Sequence, residues 1–252
     1  MVLQLQKGII YGPVNSRRLG KSLGINLMPV NYKLCSFNCV YCQYGKTKIL
    51  TNNLSPYIKD LPTLEEIKIS VEKFLKNSPK INYITFSGNG EPTLHPQFNE
   101  IVDLIIALRD KYLPYVKIAL LSNSTFPDNE KIKGAFSKID LKIFKLDVGS
   151  EDLFLEVNRP FKEISFTKII KNLKNLDDIV IQSMLFTGKI ENSSDEKIRK
   201  WMEKLEEIRP REIQVYTTDR PTEQMLERVP KERLTEIAEN VRNLLGFKIN
   251  VY

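Results

Sequence analysis

All three cysteines of the chain fall within eight residues, Cys35-Ser36-Phe37-Asn38-Cys39-Val40-Tyr41-Cys42. Three thiolates spaced C-x3-C-x2-C can hold three corners of a 4Fe-4S cubane and leave its fourth iron without a protein ligand, open to a reactant. The same thiols allow other chemistry. A structural zinc site closes with four ligands, and the one histidine, His95 in Thr93-Leu94-His95-Pro96, could complete a Cys3His set from a distance along the chain. A disulfide framework fits poorly, because an odd cysteine count behind an N-terminus without signal-peptide organisation reads as reduced and intracellular. Cysteines serving only as small buried hydrophobes would have no reason to cluster.

The elements that must position this loop are legible as a period. Short β-branched runs recur at Ile25-Asn26-Leu27-Met28, Ile81 to Phe86, Val116 to Leu121, Leu141 to Leu146, Ile179 to Phe186 and Ile213 to Tyr216. Between them lie helical stripes. Leu64, Ile67, Val71 and Phe74 follow a capping box from Thr63 to Glu66, and Phe98, Ile101, Val102, Ile105 and Leu108 follow Pro96. Ile169, Leu173 and Leu176 mark another helix, and Ile198, Trp201, Met202, Leu205 and Ile208 follow a second box, Ser193 to Glu196. A last helix runs from about Lys231 after Pro230 to Gly246. Such stripes, Trp201 included, predict core packing rather than cofactor contact.

Alternating β and α units imply parallel strands joined by right-handed crossovers. About six units predict an α/β fold of the partial (β/α)6 TIM-like barrel type, with residues 1–24 as an N-terminal extension packed on it and 25–252 as the barrel domain. Chemistry then belongs at the carboxyl ends of the strands. There the sequence places the cysteine loop, Ser87-Gly88-Asn89-Gly90-Glu91-Pro92-Thr93, Ser122-Asn123-Ser124, Lys145-Leu146-Asp147, Gln182 within an apolar strand, and Tyr216-Thr217-Thr218-Asp219-Arg220-Pro221. Taken singly, Lys145 with Asp147 reads equally as a surface ion pair; the recurrence at one end of successive strands predicts a shared site.

At 252 residues, 42% hydrophobic and 27% charged, the chain is long enough for a sizeable core. No apolar run reaches membrane-spanning length, and a cytoplasmic location is expected. The net charge of +7 permits an anionic partner such as RNA, and equally describes a Lys/Glu-rich surface.

The cysteine spacing with Tyr41 before Cys42, followed after the next strand by Gly88-Asn89-Gly90-Glu91, resembles the radical S-adenosylmethionine (SAM) superfamily. The resemblance implies that Cys35, Cys39 and Cys42 ligate one 4Fe-4S cluster. It implies that Gly88 to Glu91 receives the methionyl amino group, with Asn89 standing where the superfamily has glycine. Tyr41 would pack near the adenine, and Lys145 and Asp147 would meet the carboxylate and ribose. Ser122, Asn123 and Gln182 are further candidates for the cofactor site. The implied chemistry is reductive cleavage of SAM to methionine and a 5'-deoxyadenosyl radical, fed by a one-electron donor of flavodoxin or ferredoxin type.

The segment Tyr11-Gly12-Pro13-Val14-Asn15-Ser16-Arg17-Arg18-Leu19-Gly20-Lys21-Ser22-Leu23-Gly24 is similar to a compact single-cluster group placed beside the wybutosine tricyclic-base synthases. Those synthases carry additional cysteines for an auxiliary cluster, which this chain lacks. Arg17 and Arg18 are expected to face the site and bind a carboxylate or phosphate, or else to be solvated in a turn. Asn158-Arg159-Pro160, with Tyr216, Asp219 and Arg220, would anchor substrate. Three functions follow as expectations: an enzyme acting on RNA or an anionic metabolite, an activase making a glycyl radical on a partner protein, or a non-catalytic zinc or iron-sulfur binding module.

Overall fold

Short β-branched runs and amphipathic stripes fold in alternation, as their spacing predicts. The computed structural model describes residues 2–77, 80–127, 130–219 and 224–252. In chain order its strands are β1 (Ile10–Ser16), β2 (Gly20–Ile25), β3 (Leu34–Cys35), β4 (Ile49–Leu50), β5 (Tyr83–Phe86), β6 (Lys117–Ser122), β7 (Leu141–Lys145), β8 (Ile179–Gly188), β9 (Glu212–Thr217), β10 (Leu226–Arg228) and β11 (Ile249–Val251). The α-helices are α1 (Leu64–Leu75), α2 (Phe98–Tyr112), α3 (Glu130–Ser137), α4 (Glu151–Val157), α5 (Phe166–Lys174), α6 (Asp195–Ile208) and α7 (Lys231–Leu245). The chain forms two compact units, one of Leu5–Ser36 and Thr51–Lys142, the other of residues up to Gln4, Phe37–Leu50 and Ile143–Tyr252. Among the described residues no helix is long and apolar enough to cross a membrane.

In the first unit the strand order is β1-β2-β5-β6, with β1 antiparallel to β2 and the other pairs parallel. Helix α1 starts where the capping box predicts: Glu66 N donates to Thr63 Oγ1 at 3.3 Å while Thr63 N donates to Glu66 Oε2 at 2.8 Å. Its buried face of Ile67, Val71 and Leu75 and that of α2, Phe98, Ile101, Val102, Ile105 and Leu108, build the helical side of the core. Each such side chain stabilises the unit by about 1.5–3 kcal/mol of apolar transfer.

The first parallel strand differs from expectation. Gly20–Ile25 pairs with Tyr83–Phe86, so the residues expected as an extension supply two strands, and the apolar run Leu27-Met28 falls beyond the strand. Gly20, Lys21 and Ser22 hide the strand from a hydrophobicity scan, because its outer half carries no apolar side chain.

The second unit orders its strands β7-β8-β9-β11, with β8, β9 and β11 parallel and β10 antiparallel to β8. Trp201 is core, as its stripe predicts: its Nε1 donates to Leu146 O at 3.0 Å and Ser183 Oγ at 3.1 Å. The box expected from Ser193 to Glu196 does not form. Ser194 is the cap residue of α6, Glu196 pairs with Lys200, and Glu191 Oε2 instead accepts the Ser193 and Ser194 N–H groups at 2.9 and 3.0 Å. A carboxylate there satisfies the exposed donors more strongly than a hydroxyl. Helix α7 begins after Pro230 and ends at Gly246, whose φ of 71° makes the left-handed cap. Strand β11, three residues long, is too short to have shown in the sequence.

Candidate functional site

In the first unit, β2 carries the chain out at its carboxyl end through Asn26, a buried amide interrupting an apolar run. Asn26 Oδ1 accepts Met28 N at 3.3 Å and Asn89 N at 3.0 Å, and its Nδ2 donates to Met28 O at 2.8 Å. This brings the Gly88–Glu91 loop hard against the backbone ahead of Cys35. Gly88 has φ 134°, and a Cβ there would stand 2.6 Å from Asn26 Oδ1. A Cβ on Gly90 would stand 1.8 Å from Leu34 O, so the Leu34–Gly90 bridge exists only because residue 90 has no side chain.

Asn89 differs from the role given it. It takes no left-handed backbone, so nothing in its conformation requires the glycine it replaces. Its side chain is fully buried and braces other backbone: Nδ2 donates to Gln6 O at 2.9 Å and Pro29 O at 3.0 Å, and Oδ1 accepts Gln6 N at 2.8 Å. The side chain clamps the N-terminal segment rather than presenting itself to a ligand.

Glu91 is 1% exposed. Its Oε1 accepts Thr93 N at 3.0 Å and Thr93 Oγ1 at 2.6 Å; its Oε2 accepts Asn123 N at 2.5 Å. Burial pushes its carboxyl above the usual range, and the hydrogen bonds from Thr93, Asn123 and Ser122 oppose this without cancelling it. Asn123, held by Glu91, sends Nδ2 to Ser36 Oγ at 2.9 Å and to Cys35 Sγ at 3.5 Å. Ser36 Oγ also meets Thr125 Oγ1. Ser122 Oγ accepts Ser124 N at 3.0 Å, shaping the turn after β6.

In the second unit the centre is Asp147, whose side chain is 0% exposed. Lys145 Nζ lies 2.7 Å from Oδ1, which also accepts Met184 N at 2.9 Å. Tyr41 Oη donates to Oδ2, and Asn158 Nδ2 donates to the same oxygen at 3.2 Å. Lys145 ends β7 and Asp147 follows two residues on, past the strand's end; their side chains meet on one side as predicted. Lys145 also reaches Tyr216 Oη at 3.2 Å and stands 5.2 and 4.9 Å from the Tyr41 and Tyr216 ring centroids. Burial pulls the Lys145 ammonium down, but the Asp147 charge and Tyr216 outweigh it and the net shift is upward. Burial, then the Asp147 charge, raises the Tyr41 hydroxyl well above its ordinary value, so it stays a donor.

The remaining expected residues divide. Gln182 sits in mid-strand, its Nε2 donating to Gln214 Oε1 at 3.1 Å, two residue pairs before the Met184–Tyr216 pair. Arg159, at φ 46°, contributes backbone: Asn38 N donates to Asn158 O and Arg159 O at 3.0 and 3.1 Å, and Phe37 bridges Pro160. Asp219 pairs with Arg228 at 2.9 Å, and Arg220 lies outside the described residues. Arg17 and Arg18 do not face the strand ends expected of them. They occupy the β1–β2 turn, before the amino end of β2, whereas the cysteine loop follows its carboxyl end. A hairpin reverses direction, so the residues joining its strands lie at the opposite edge of the sheet from the exit of β2.

Two asparagines carry more than their sequence context suggested. Asn158 was visible only as part of Asn-Arg-Pro, and Asn26 only as a polar break in an apolar run. His95, the candidate fourth zinc ligand, uses both ring nitrogens within the protein: Nδ1 accepts Gln97 N at 3.1 Å and Nε2 donates to Pro62 O at 3.2 Å. Burial pushes its pKa down to about 4, so it is neutral. Among the described residues no three His, Cys, Asp or Glu side chains converge at distances suited to one metal ion.

Residues 32–205 match the family described as the radical SAM superfamily. The match takes in the cysteines, Gly88–Glu91, Lys145 and Asp147, and leaves out Arg17, Arg18 and Tyr216. The chain is similar to the UPF0026 protein MJ1312 of Methanocaldococcus jannaschii, 35% identical over 245 residues, 94% of this chain and 72% of that protein. Among solved structures it is similar to a radical SAM methyltransferase from Sphaerobacter thermophilus, with TM-score 0.66 at 12% identity over 92% of this chain and 65% of that one. Streptococcus suis SuiB bound to S-adenosylmethionine gives TM-score 0.62 at 12% identity over 90% of this chain and 50% of that one. At such identities the structural likeness speaks to the fold, and the chain spans only part of each of those proteins. Superfamily members bind a 4Fe-4S cluster and SAM. With its α/β fold of mostly parallel strands and a family match spanning the cysteine loop, this chain belongs to the radical SAM superfamily.

Proposed function

We propose that the chain is a single-cluster radical SAM enzyme acting on RNA or another anionic substrate, with Cys35, Cys39 and Cys42 as the cluster ligands. The observation that carries this reading is the bridge between Leu34 and Gly90, which joins the start of the cysteine loop to the Gly-Asn-Gly-Glu loop although they are far apart in sequence. Further support for the fit comes from the donor set. Three thiols suit iron-sulfur ligation, amide hydrogens point at two of their sulfurs, and His95 is spent on Pro62 and Gln97.

When bound and reduced, the cluster supplies the electron that splits SAM into methionine and a 5'-deoxyadenosyl radical, which abstracts hydrogen from substrate. The chain's own residues do the positioning. Gly88 and Gly90 let backbone approach the methionyl amino group without side chains in the way. Glu91 fixes that loop by holding Thr93 and Asn123. Lys145, paired with Asp147, would offer a cation to the methionyl carboxylate, and Tyr41, whose hydroxyl donates to Asp147, would offer its ring to the adenine. The substrate class is supported by the net charge of +7.

Anaerobic reconstitution followed by dithionite and SAM should accumulate 5'-deoxyadenosine, and each of Cys35→Ala, Cys39→Ala and Cys42→Ala should abolish it. Bound zinc without SAM cleavage would replace this reading with that of a structural binding module. RNA binding that weakens steeply with salt would favour RNA over a small anionic metabolite, and hydrogen transfer only to a partner protein's glycine would favour an activase.

A further inference from the structure

Each unit has a side-chain amide aimed at the sulfur of a cysteine in that same unit. Asn123, directly after β6, has Nδ2 3.5 Å from Cys35 Sγ. Asn158, at the end of α4, has Nδ2 3.5 Å from Cys39 Sγ. We infer that Asn123 and Asn158 are positioning residues that set the cluster's redox poise, each donating an amide hydrogen to a ligating sulfur and raising the potential at which the cluster accepts its electron. This rests on the cysteine loop holding a 4Fe-4S cluster.

The orientation of each amide is dictated by its other partners. Asn123 Oδ1 accepts Thr125 N at 3.0 Å and Thr125 Oγ1 at 2.5 Å, so Nδ2 must take the opposite side, toward Ser36 and Cys35. Flipping it would set the amide N–H against the Thr125 N–H, two donors facing each other. Asn158 Nδ2 lies 3.2 Å from the Asp147 carboxylate, which excludes Oδ1 from that position and leaves the amide's second hydrogen for Cys39 Sγ and for Tyr41 Oη at 3.4 Å. Both asparagines are also pinned through backbone: Asn123 N on Glu91, and Asn158 between Phe154 O and Asn38 N.

Hydrogen bonds to cluster sulfurs are one of the levers a protein has on reduction potential. One-electron reduction adds a negative charge that the ligating sulfurs share, so an N–H···S bond strengthens as the cluster is reduced and stabilises the reduced form more than the oxidised one. Because the donors are neutral amides, the effect carries no pH dependence of its own. Removing both should lower the equilibrium constant for reduction about tenfold, which for one electron corresponds to about 59 mV more negative.

The test is an EPR-monitored redox titration, without SAM or substrate, of reconstituted wild type, Asn123→Ala, Asn158→Ala and the double variant, each matched for iron content and circular dichroism. The single variants should both move to more negative potential and the double variant furthest. A merely structural role would lower cluster content and leave the potential of the loaded fraction unchanged, and that result overturns the inference. Should a variant fail to fold, wild type grown with side-chain 15N-asparagine gives the answer by pulsed EPR of the reduced cluster. A 15N coupling supports the inference and its absence overturns it. If wild type assembles no 4Fe-4S cluster, the underlying reading falls as well, whereas a loaded wild type with unshifted variants defeats this inference alone.

Discussion

The two ends of the cysteine loop are held by different physics. Around Cys35 the restraints are backbone contact and neutral hydrogen bonds: Gly90 against Leu34, Asn26 under Gly88, Asn123 on Ser36, with the buried acid Glu91 held by N–H and O–H donors. Around Cys39 and Tyr41 they are ionic, gathered on Asp147 with Lys145 as the counter-charge. A neutral, close-packed site tolerates changes of charge nearby but no added atom. An ionic site tolerates changes of shape but not the loss of one partner.

The largest effect that would break this contrast is expected at Asp147. Asp147→Ala strands the Lys145 ammonium, only 16% exposed, and removes the acceptor of Tyr41 and Asn158. Losing one partner of a buried pair costs about 3–5 kcal/mol, readable in urea unfolding, and replacing Lys145 by Met in the same background should recover a good part of it. Gly90→Ala probes the neutral side. A methyl group 1.8 Å from Leu34 O has nowhere to go, so a loss of about 3 kcal/mol, at the upper end of overpacking, is expected together with reduced iron loading. If Gly90→Ala proves innocuous, steric closeness is not what holds Cys35.

Titration separates the units further. His95, on the neutral side, is pushed from 6.5 down to about 4 by burial. Between these values the unfolded chain takes up a proton that the native state refuses, so stability is complete above about pH 6.5 and is lost as pH falls toward 4, by up to about 3 kcal/mol. His95→Gln should flatten that slope in urea titrations at pH 7 and pH 5, and an unchanged slope would mean another group titrates there. The smallest effect is expected for Asn89→Gly, which gives up three hydrogen bonds to Gln6 and Pro29. About 1–2 kcal/mol should be lost, with faster amide exchange at Gln6 and an unchanged SAM dissociation constant. A weakened SAM dissociation constant would return Asn89 to the cofactor.

Much of this arrangement was legible before the fold. Hydrophobic period revealed α1, α2, α5, α6 and α7 and the interiors of β5 to β9, because burial on one face imposes a repeat that survives any packing detail. It failed for β2, whose outer half is Gly-Lys-Ser, and for β11, three residues long. Lys145 and Asp147 could be placed on one face because alternation along an extended chain is a local property. The Glu91 carboxylate showed as a residue of interest, but its work on Asn123 depends on where β6 ends.

What the sequence determined by itself is the cysteine spacing, the alternation of strand and helix and the polar residues that follow the strands, since each depends on neighbours within a few residues. The structure decided that Arg17 and Arg18 lie in the β1–β2 turn at the amino end of β2, that Asn89 clamps Gln6, and that Asn123 and Asn158 aim at Cys35 and Cys39. The asparagine contacts join residues dozens of positions apart. A side-chain amide has no partner of its own until folding brings one within hydrogen-bond reach, and no local pattern of residue types encodes which one that will be.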